Sequence, residues 1–394
     1  MQRRHLLQGL ASAGLSLGGG QLWAVGTGQP CFLMVFLRGG YDAANLLVPV
    51  SSSFYYEARP TIAIARPGTQ EPSALQLTAD WGLHPALRDN LYPLWQQGEL
   101  SFVPFAGSRD TSRSHFETQD GIELGQPLEG TRNYRSGFMN RLAATLKGVD
   151  AMAFTDRLPL ALQGEVQVPN TVLRALSRPA VDARQSQVIS AMYQGTELAG
   201  AVNQGFAARD EVMREMAAEM DVASRNAISA RGFELEARRI AMLMKGRHRL
   251  GFVDVGGWDT HVGQGGATGA LASRLEELGR GLAAYAQEMG SRWRETTVVV
   301  VSEFGRTFRQ NGNNGTDHGH GSVYWVLGGA VRGGQVVGEQ VAVTPNNLFQ
   351  NRDYPVLNEV RSVLGGLLQR QFGLSPAQLA SVFPGALARD LHLI

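Results

Sequence analysis

Short, fully apolar runs alternate along this chain with longer stretches in which apolar residues recur at helical spacing. That alternation predicts an α/β fold, with helices layered on a largely parallel central sheet. Phe32-Leu33-Met34-Val35-Phe36-Leu37, bounded by Gly39 and Gly40, has no polar interruption, as expected of a strand covered on both faces. Val298 to Val301 is a second such strand, and Gly251-Phe252-Val253 with its neighbours is a third. A fourth candidate, Val323 to Leu327, is closed by Gly328 and Gly329, and Leu100 to Phe105 is a further apolar segment. Helical spacing governs Arg209 to Lys245, read as one long or broken amphipathic helix whose methionines belong to the core, and Leu271 to Met289. From about Asp150 to Asn203 the periodicity weakens, which leaves room for an inserted cap.

Residues 1–24 follow a different pattern. Arg3 and Arg4 precede a moderately apolar run, Leu6 to Leu17, and a small-residue region around Ala24. This is a signal peptide pattern, too short and too rich in Gly and Ser for a permanent membrane span, with residues 25–394 left as the folded domain. The paired arginines resemble a twin-arginine signal, whose export machinery carries folded proteins, so the expected location is periplasmic or otherwise exported. Cys31 is the one cysteine, which excludes an internal disulfide and thiolate-built metal sites; it is expected in a strand.

Composition narrows the function. The 394 residues are 43% hydrophobic and 18% charged, enough for a sizeable core. Thirty-six Lys plus Arg face thirty-five Asp plus Glu, and no long basic stretch could track phosphates, so a nucleic-acid partner is not expected. Arg38-Gly39-Gly40-Tyr41-Asp42 lacks the third glycine of a dinucleotide fingerprint, which argues against a nicotinamide enzyme.

Candidate chemistry gathers where the strands end. In open α/β sheets ligands bind at the carboxyl ends of the strands. Here those ends lead into Arg38 to Asp42, into Asp254-Val255-Gly256-Gly257-Trp258-Asp259-Thr260-His261, and into Ser302-Glu303-Phe304-Gly305-Arg306. Asn311 to Gly321, ending Asp317-His318-Gly319-His320-Gly321, can fold over the same edge. Converging carboxylates repel unless a metal ion or Arg neutralises them, and imidazoles mixed with carboxylates suit Zn or Mn. The bland alternative is a turn capped by Asp317-His318, with His320 solvated. After Leu100 to Phe105 the chain reads Asp110-Thr111-Ser112-Arg113-Ser114-His115-Phe116-Glu117, with three hydroxyls beside an Arg and a His. A hydroxyl there can serve as a metal-activated nucleophile, with Arg113 holding anionic oxygens, and Ser114 with Glu117 also fits a helix capping box.

Together with the amino terminus, the segments Phe36 to Asp42, Arg113 to Glu117, Gly257 to His261, Ser302 to Thr307 and Asp317 to Gly321 resemble the bacterial family called domain of unknown function 1501. That family is grouped with the alkaline phosphatase-like superfamily of phosphatases, sulfatases and phosphoglycerate mutases. The resemblance implies an alkaline phosphatase-like three-layer sandwich and a hydrolase of phosphate or sulfate esters with one or two divalent ions, Zn or Mn. By that comparison Asp42 binds one metal, a hydroxyl among Thr111, Ser112 and Ser114 attacks, and Arg38, Arg113 or Arg306 stabilises anionic charge, with His115 alongside. Asp259 and His261 serve the second metal, completed by His318 or His320, with Glu303 and Asp317 as further carboxylate ligands. Glu303-Phe304 stands where superfamily enzymes often have an Asp-His pair, and Asp317-His318 is the candidate replacement. The expected partners are a small anionic ester and the export machinery; the alternative is a catalytically degenerate ligand-binding or assembly protein on the same fold.

Overall fold

The computed structural model describes residues 28–69, 72–171, 173, 183–207 and 232–394. The expected signal peptide therefore lies outside the described residues, as does 208–231, most of the expected helix from Arg209; its remainder forms the helix Phe233–Gly246.

The strands in chain order are β1 (Cys31–Leu37), β2 (Leu47–Pro49), β3 (Leu75–Gln76), β4 (Trp81–Leu83), β5 (Leu100–Gly107), β6 (Ala151–Ala153), β7 (Leu250–Val255), β8 (Thr296–Ser302), β9 (Ser322–Leu327), β10 (Gln335–Val336) and β11 (Asn358–Glu359). The main sheet runs β10-β5-β9-β8-β1-β7-β6, with β11 also pairing β5, and β2-β4-β3 form a small antiparallel sheet. Every pairing in the main sheet is parallel except those of β9 with β5 and β8.

All seven residues of β1 are buried, as are all seven of β8, which is why neither run tolerates a charge. Alternate side chains point to opposite faces. Leu33, Val35, Val298 and Val300 enter one core, under the helices Phe233–Gly246 and Ala270–Met289. Phe32, Met34, Phe36, Val299 and Val301 enter the other, under the helices Phe138–Leu146 and Val360–Phe372. The result is the expected three-layer α/β arrangement with helices on both faces. Cys31 opens β1 as a buried residue.

β9 corrects one expectation. It runs against its neighbours, so its beginning, not its glycine-closed end, lies at the carboxyl edge of the parallel strands. The segment around Asp150 starts with β6, an edge strand of the main sheet, and continues past the undescribed residues 174–182 into the helix Ala183–Tyr193. Among the described residues no helix is long and apolar enough to cross a membrane.

Candidate metal centre

Register brings the loops together. Leu37 of β1 is level with Val255 of β7 and Ser302 of β8, so three chain segments leave the sheet from adjacent points. β5 delivers a fourth. After it, Ser114 caps the helix His115–Leu124 by accepting the Glu117 N–H, which sets His115 as the first helical residue. Glu117 does not complete the capping box; its carboxylate pairs with Arg132 at 3.0 Å.

The fifth segment, 317–321, lies directly on the loop after β8. Gly305 donates to the His320 carbonyl at 3.0 Å, Gly319 donates to the Gly305 carbonyl at 2.8 Å, and Arg306 bridges His318. A Cβ on Gly305 would lie 2.0 Å from the Gly321 oxygen, and one on Gly319 2.5 Å from the Arg306 carbonyl. Only glycine permits this approach. The crossing sets His318 against His115.

Four side chains then converge. His318 Nε2 lies 3.0 Å from His115 Nε2, 3.2 Å from His261 Nε2 and 3.3 Å from Asp259 Oδ1. His261 Nε2 is 2.9 Å from Asp259 Oδ1, and His115 Nε2 is 3.6 Å from Asp259 Oδ2. The second nitrogen of each ring faces an acceptor: His115 Nδ1 meets Glu303 Oε1 at 2.7 Å, His261 Nδ1 meets Asp317 Oδ1 at 2.9 Å, and His318 Nδ1 meets the Arg113 carbonyl at 3.1 Å. A carbonyl or carboxylate can only accept, so each Nδ1 carries the hydrogen, and in a neutral ring Nε2 is then a lone pair. The His115 and His318 lone pairs and the Asp259 carboxylate lie within 4.8 Å of one another and offer a donor set for a divalent ion, with the His261 lone pair beside Asp259 and His318 and the outer acceptors fixing each tautomer. Without a cation the same contacts need at least one additional proton shared among the three Nε2 atoms.

The surrounding charges are consistent with this donor set. The Glu303 hydrogen bond pushes His115 above the ordinary imidazole range, against the effect of burial, whereas burial and the neighbouring His115 push His318 below it. Burial would raise Asp259, but the hydrogen bond and charge of Arg306 outweigh it and hold the carboxyl below the usual range. Arg306 Nη1 donates to Asp259 Oδ1 at 2.5 Å, while its other nitrogens reach the Thr316 hydroxyl and carbonyl. Phe304 walls the cluster, its ring centroid 4.9 Å from that of His115 and 5.1 Å from that of His318. Arg113 holds a positive φ of 54°, unusual for a residue with a side chain; this is the turn that offers its carbonyl to His318.

Several residues expected to act directly stand elsewhere. Asp42 is buried in an ion pair, its oxygens taken by Arg59 at 2.5 and 3.0 Å and by Gln264 at 2.6 Å, which leaves no lone pair directed at the imidazoles. Glu303 and Asp317 support His115 and His261 in place of serving as ligands. Glu303 Oε1 also accepts from the Gly39 amide and from Gln119, each at 2.8 Å, and Asp317 accepts from Asn311 at 3.1 Å. His320 is buried against Phe349, and burial pushes it down to about 4. Arg38 is spent on Asp254, Glu123 and Gln119, and the Arg113 guanidinium on Asp353 and Gln350, so neither is directed at an anion. Ser112 donates to Asp110 at 3.1 Å, Ser114 is the helix cap, and Thr111 is exposed in the same turn. His115, expected beside the nucleophile, is instead one of the three imidazoles.

Sequence reasoning missed Gln119, Gln264, Arg59 and Asp353. Gln119 had a signal: it follows His115 by four, on the same helical face, where it orients Glu303. Gln264 accepts from Thr260 and Thr316 while donating to Asp42, and so ties three loops together.

Fold and cluster thus define an α/β protein with a candidate metal centre of His115, Asp259 and His318, flanked by His261, at the carboxyl edge of its sheet. The chain belongs to the family of proteins of unknown function DUF1501, whose model matches residues 31–383. No curated protein matches it. Among solved structures it is similar to a protein of the alkaline phosphatase superfamily from Vibrio parahaemolyticus, at 11% identity and a TM-score of 0.43, over 93% of this chain and 70% of that one. It is also similar to the phosphonate monoester hydrolase of Agrobacterium radiobacter, at 10% identity and a TM-score of 0.35, over 92% and 79% of the two chains. A third is Ps i-CgsB in complex with k-i-k-neocarrahexaose, at 10% identity and a TM-score of 0.35, over 89% and 74%.

Proposed function

We propose that this protein is an exported metal-dependent hydrolase of phosphate or sulfate esters, with a single divalent ion, Zn or Mn, held by His115, Asp259, His261 and His318. The observation that carries this reading is the set of three Nδ1 hydrogen bonds to acceptors, which leaves three Nε2 lone pairs facing Asp259. A divalent ion at such a site acts as a Lewis acid toward an ester oxygen and makes water acidic enough to attack near neutral pH.

The residues of the chain have distinct parts in this reading. Glu303, Asp317 and the Arg113 carbonyl hold the rings in one tautomer and orientation, so the donor set is preorganised. Arg306 keeps one Asp259 oxygen in place and leaves a buried guanidinium beside the reacting group. The Ser112 hydroxyl donates to Asp110 and the Ser114 hydroxyl accepts at the helix end, and we take the attacking group to be water. Each of the four proposed ligands is only partly shielded from solvent, so substrate can enter.

The test is elemental analysis of protein purified without chelator, beside His318→Ala, followed by turnover of p-nitrophenyl phosphate and sulfate. About one equivalent of Zn or Mn, lost in the variant, with hydrolysis retained in Ser112→Ala and Ser114→Ala, is expected. No metal after reconstitution would leave a proton-sharing imidazole cluster and end the hydrolase reading.

A further inference from the structure

The helix that begins with His115 carries a row of polar side chains along one face. His115, Gln119 and Glu123 follow one another at four-residue intervals in His115–Leu124. Two residues from other loops alternate with them. Glu303, after β8, stands between His115 and Gln119, its Oε1 2.7 Å from His115 Nδ1 and 2.8 Å from Gln119 Nε2. Arg38, after β1, stands between Gln119 and Glu123, with Nη1 2.9 Å from Gln119 Oε1 and Nη2 2.8 Å from Glu123 Oε1.

Donation can run only one way along this row. A guanidinium has no acceptor, so Arg38 must donate to the Gln119 oxygen, which turns the Gln119 N–H toward Glu303. The opposite amide orientation would set N–H against N–H at Arg38 and oxygen against oxygen at Glu303. Arg38 is held from its far side by Glu123 and by Asp254 at 2.9 Å, and Glu123 also accepts from the Ala161 amide at 3.1 Å. Glu303 is held from the sheet by the Ser302 hydroxyl at 3.0 Å and the Gly39 amide at 2.8 Å. Gln119 alone ties its carboxylate to the helix that carries His115, so imidazole and carboxylate share one rigid frame.

We propose that Gln119 is a positioning residue for His115. With its amide oriented by Arg38, it holds the Glu303 oxygen opposite Nδ1, so that Nδ1 keeps the ring hydrogen and Nε2 is the nitrogen turned to the cluster. The effect on metal rests on the centre proposed above; the effect on the ring stands without it.

A double-mutant cycle with Glu303→Gln tests whether Gln119 acts through Glu303. Gln119 is only partly buried, so Gln119→Met should fold normally. It should weaken zinc binding about two- to tenfold, as for the loss of one hydrogen bond, but by less than about twofold when Glu303→Gln is already present. Long-range proton–nitrogen correlation spectra of the metal-free proteins would show which His115 nitrogen bears hydrogen, with the signal identified by its loss in His115→Asn. Wild type should carry hydrogen on Nδ1, and Gln119→Met should shift it toward Nε2. Arg38→Met combined with Glu123→Gln, which keeps an acceptor for the Ala161 amide, frees the Gln119 amide to turn and should reproduce both effects. Equal losses of zinc affinity in the two backgrounds, or a His115 ring unchanged in Gln119→Met, would overturn the proposal. If wild type binds no zinc, the metal reading ends, and the ring spectra alone decide the positioning role.

Discussion

His115 Nδ1 and Glu303 Oε1 lie 2.7 Å apart across 188 residues of sequence. The same oxygen receives the Gly39 amide and the Gln119 side chain, so Glu303 accepts three hydrogen bonds at one atom while buried. One carboxylate therefore positions the helix after β5, the loop after β1 and a proposed metal ligand at once.

Replacing Glu303 by Gln removes the charge and can turn an N–H toward His115. Zinc affinity should fall about 10–100-fold, as for other partners of metal-bound histidines, while the fold is retained. Competition with a chromophoric chelator would measure it. An unchanged affinity would show that His115 needs no such partner.

Gly319→Ala tests the backbone crossing. The added methyl would stand 2.5 Å from the Arg306 carbonyl, so the 317–321 segment must lift and carry His318 with it. The expected outcome is loss of most bound metal with little change in melting temperature, read by elemental analysis and thermal unfolding on the same sample.

The Asp42–Arg59 pair is structural in this fold. Arg59→Met leaves a buried carboxylate with only Gln264 as a side-chain donor, and breaking such a pair costs about 3–5 kcal/mol. Adding Asp42→Asn should recover part of that loss. Urea unfolding of the two variants would decide, and a neutral Arg59→Met would refute the assignment.

His84 predicts acid sensitivity away from the centre. It is fully buried, its Nδ1 accepts from the Ala86 amide at 3.1 Å, and its Nε2 faces the Gly266 carbonyl at 3.1 Å. Burial lowers it to about 4 from the ordinary 6.5. The unfolded chain takes up this proton first, so the contribution is complete above 6.5 and declines as pH falls toward about 4. The loss approaches roughly 3 kcal/mol. His84→Asn can still accept from Ala86, and it should flatten this part of the stability profile in denaturant titrations at successive pH values.

Much of the architecture was legible because β1 and β8 are covered on both faces and must be apolar throughout. The direction of β9 was not, since an apolar run reads alike both ways; only its antiparallel pairing shows that the segment before it reaches the edge. The loops carrying His261 and His318 could be located from sequence for the same reason as the strands that precede or follow them. Which carboxylates face the cluster could not. Asp42, Asp259, Glu303 and Asp317 are chemically alike, and their places depend on partners up to 264 residues away, including Arg59, which has no distinctive setting in Glu57-Ala58-Arg59-Pro60.

The crossing of 303–307 with 317–321 also bears on when the centre can exist. His115 meets His318 only across a separation of 203 residues, and no contiguous piece of chain carries more than the Asp259–His261 pair of the proposed ligands. A nascent chain emerging from the ribosome would offer a passing ion only a weak, incomplete chelate. Tight capture at the proposed centre would await completed tertiary structure, so an ion held there would record that folding has finished.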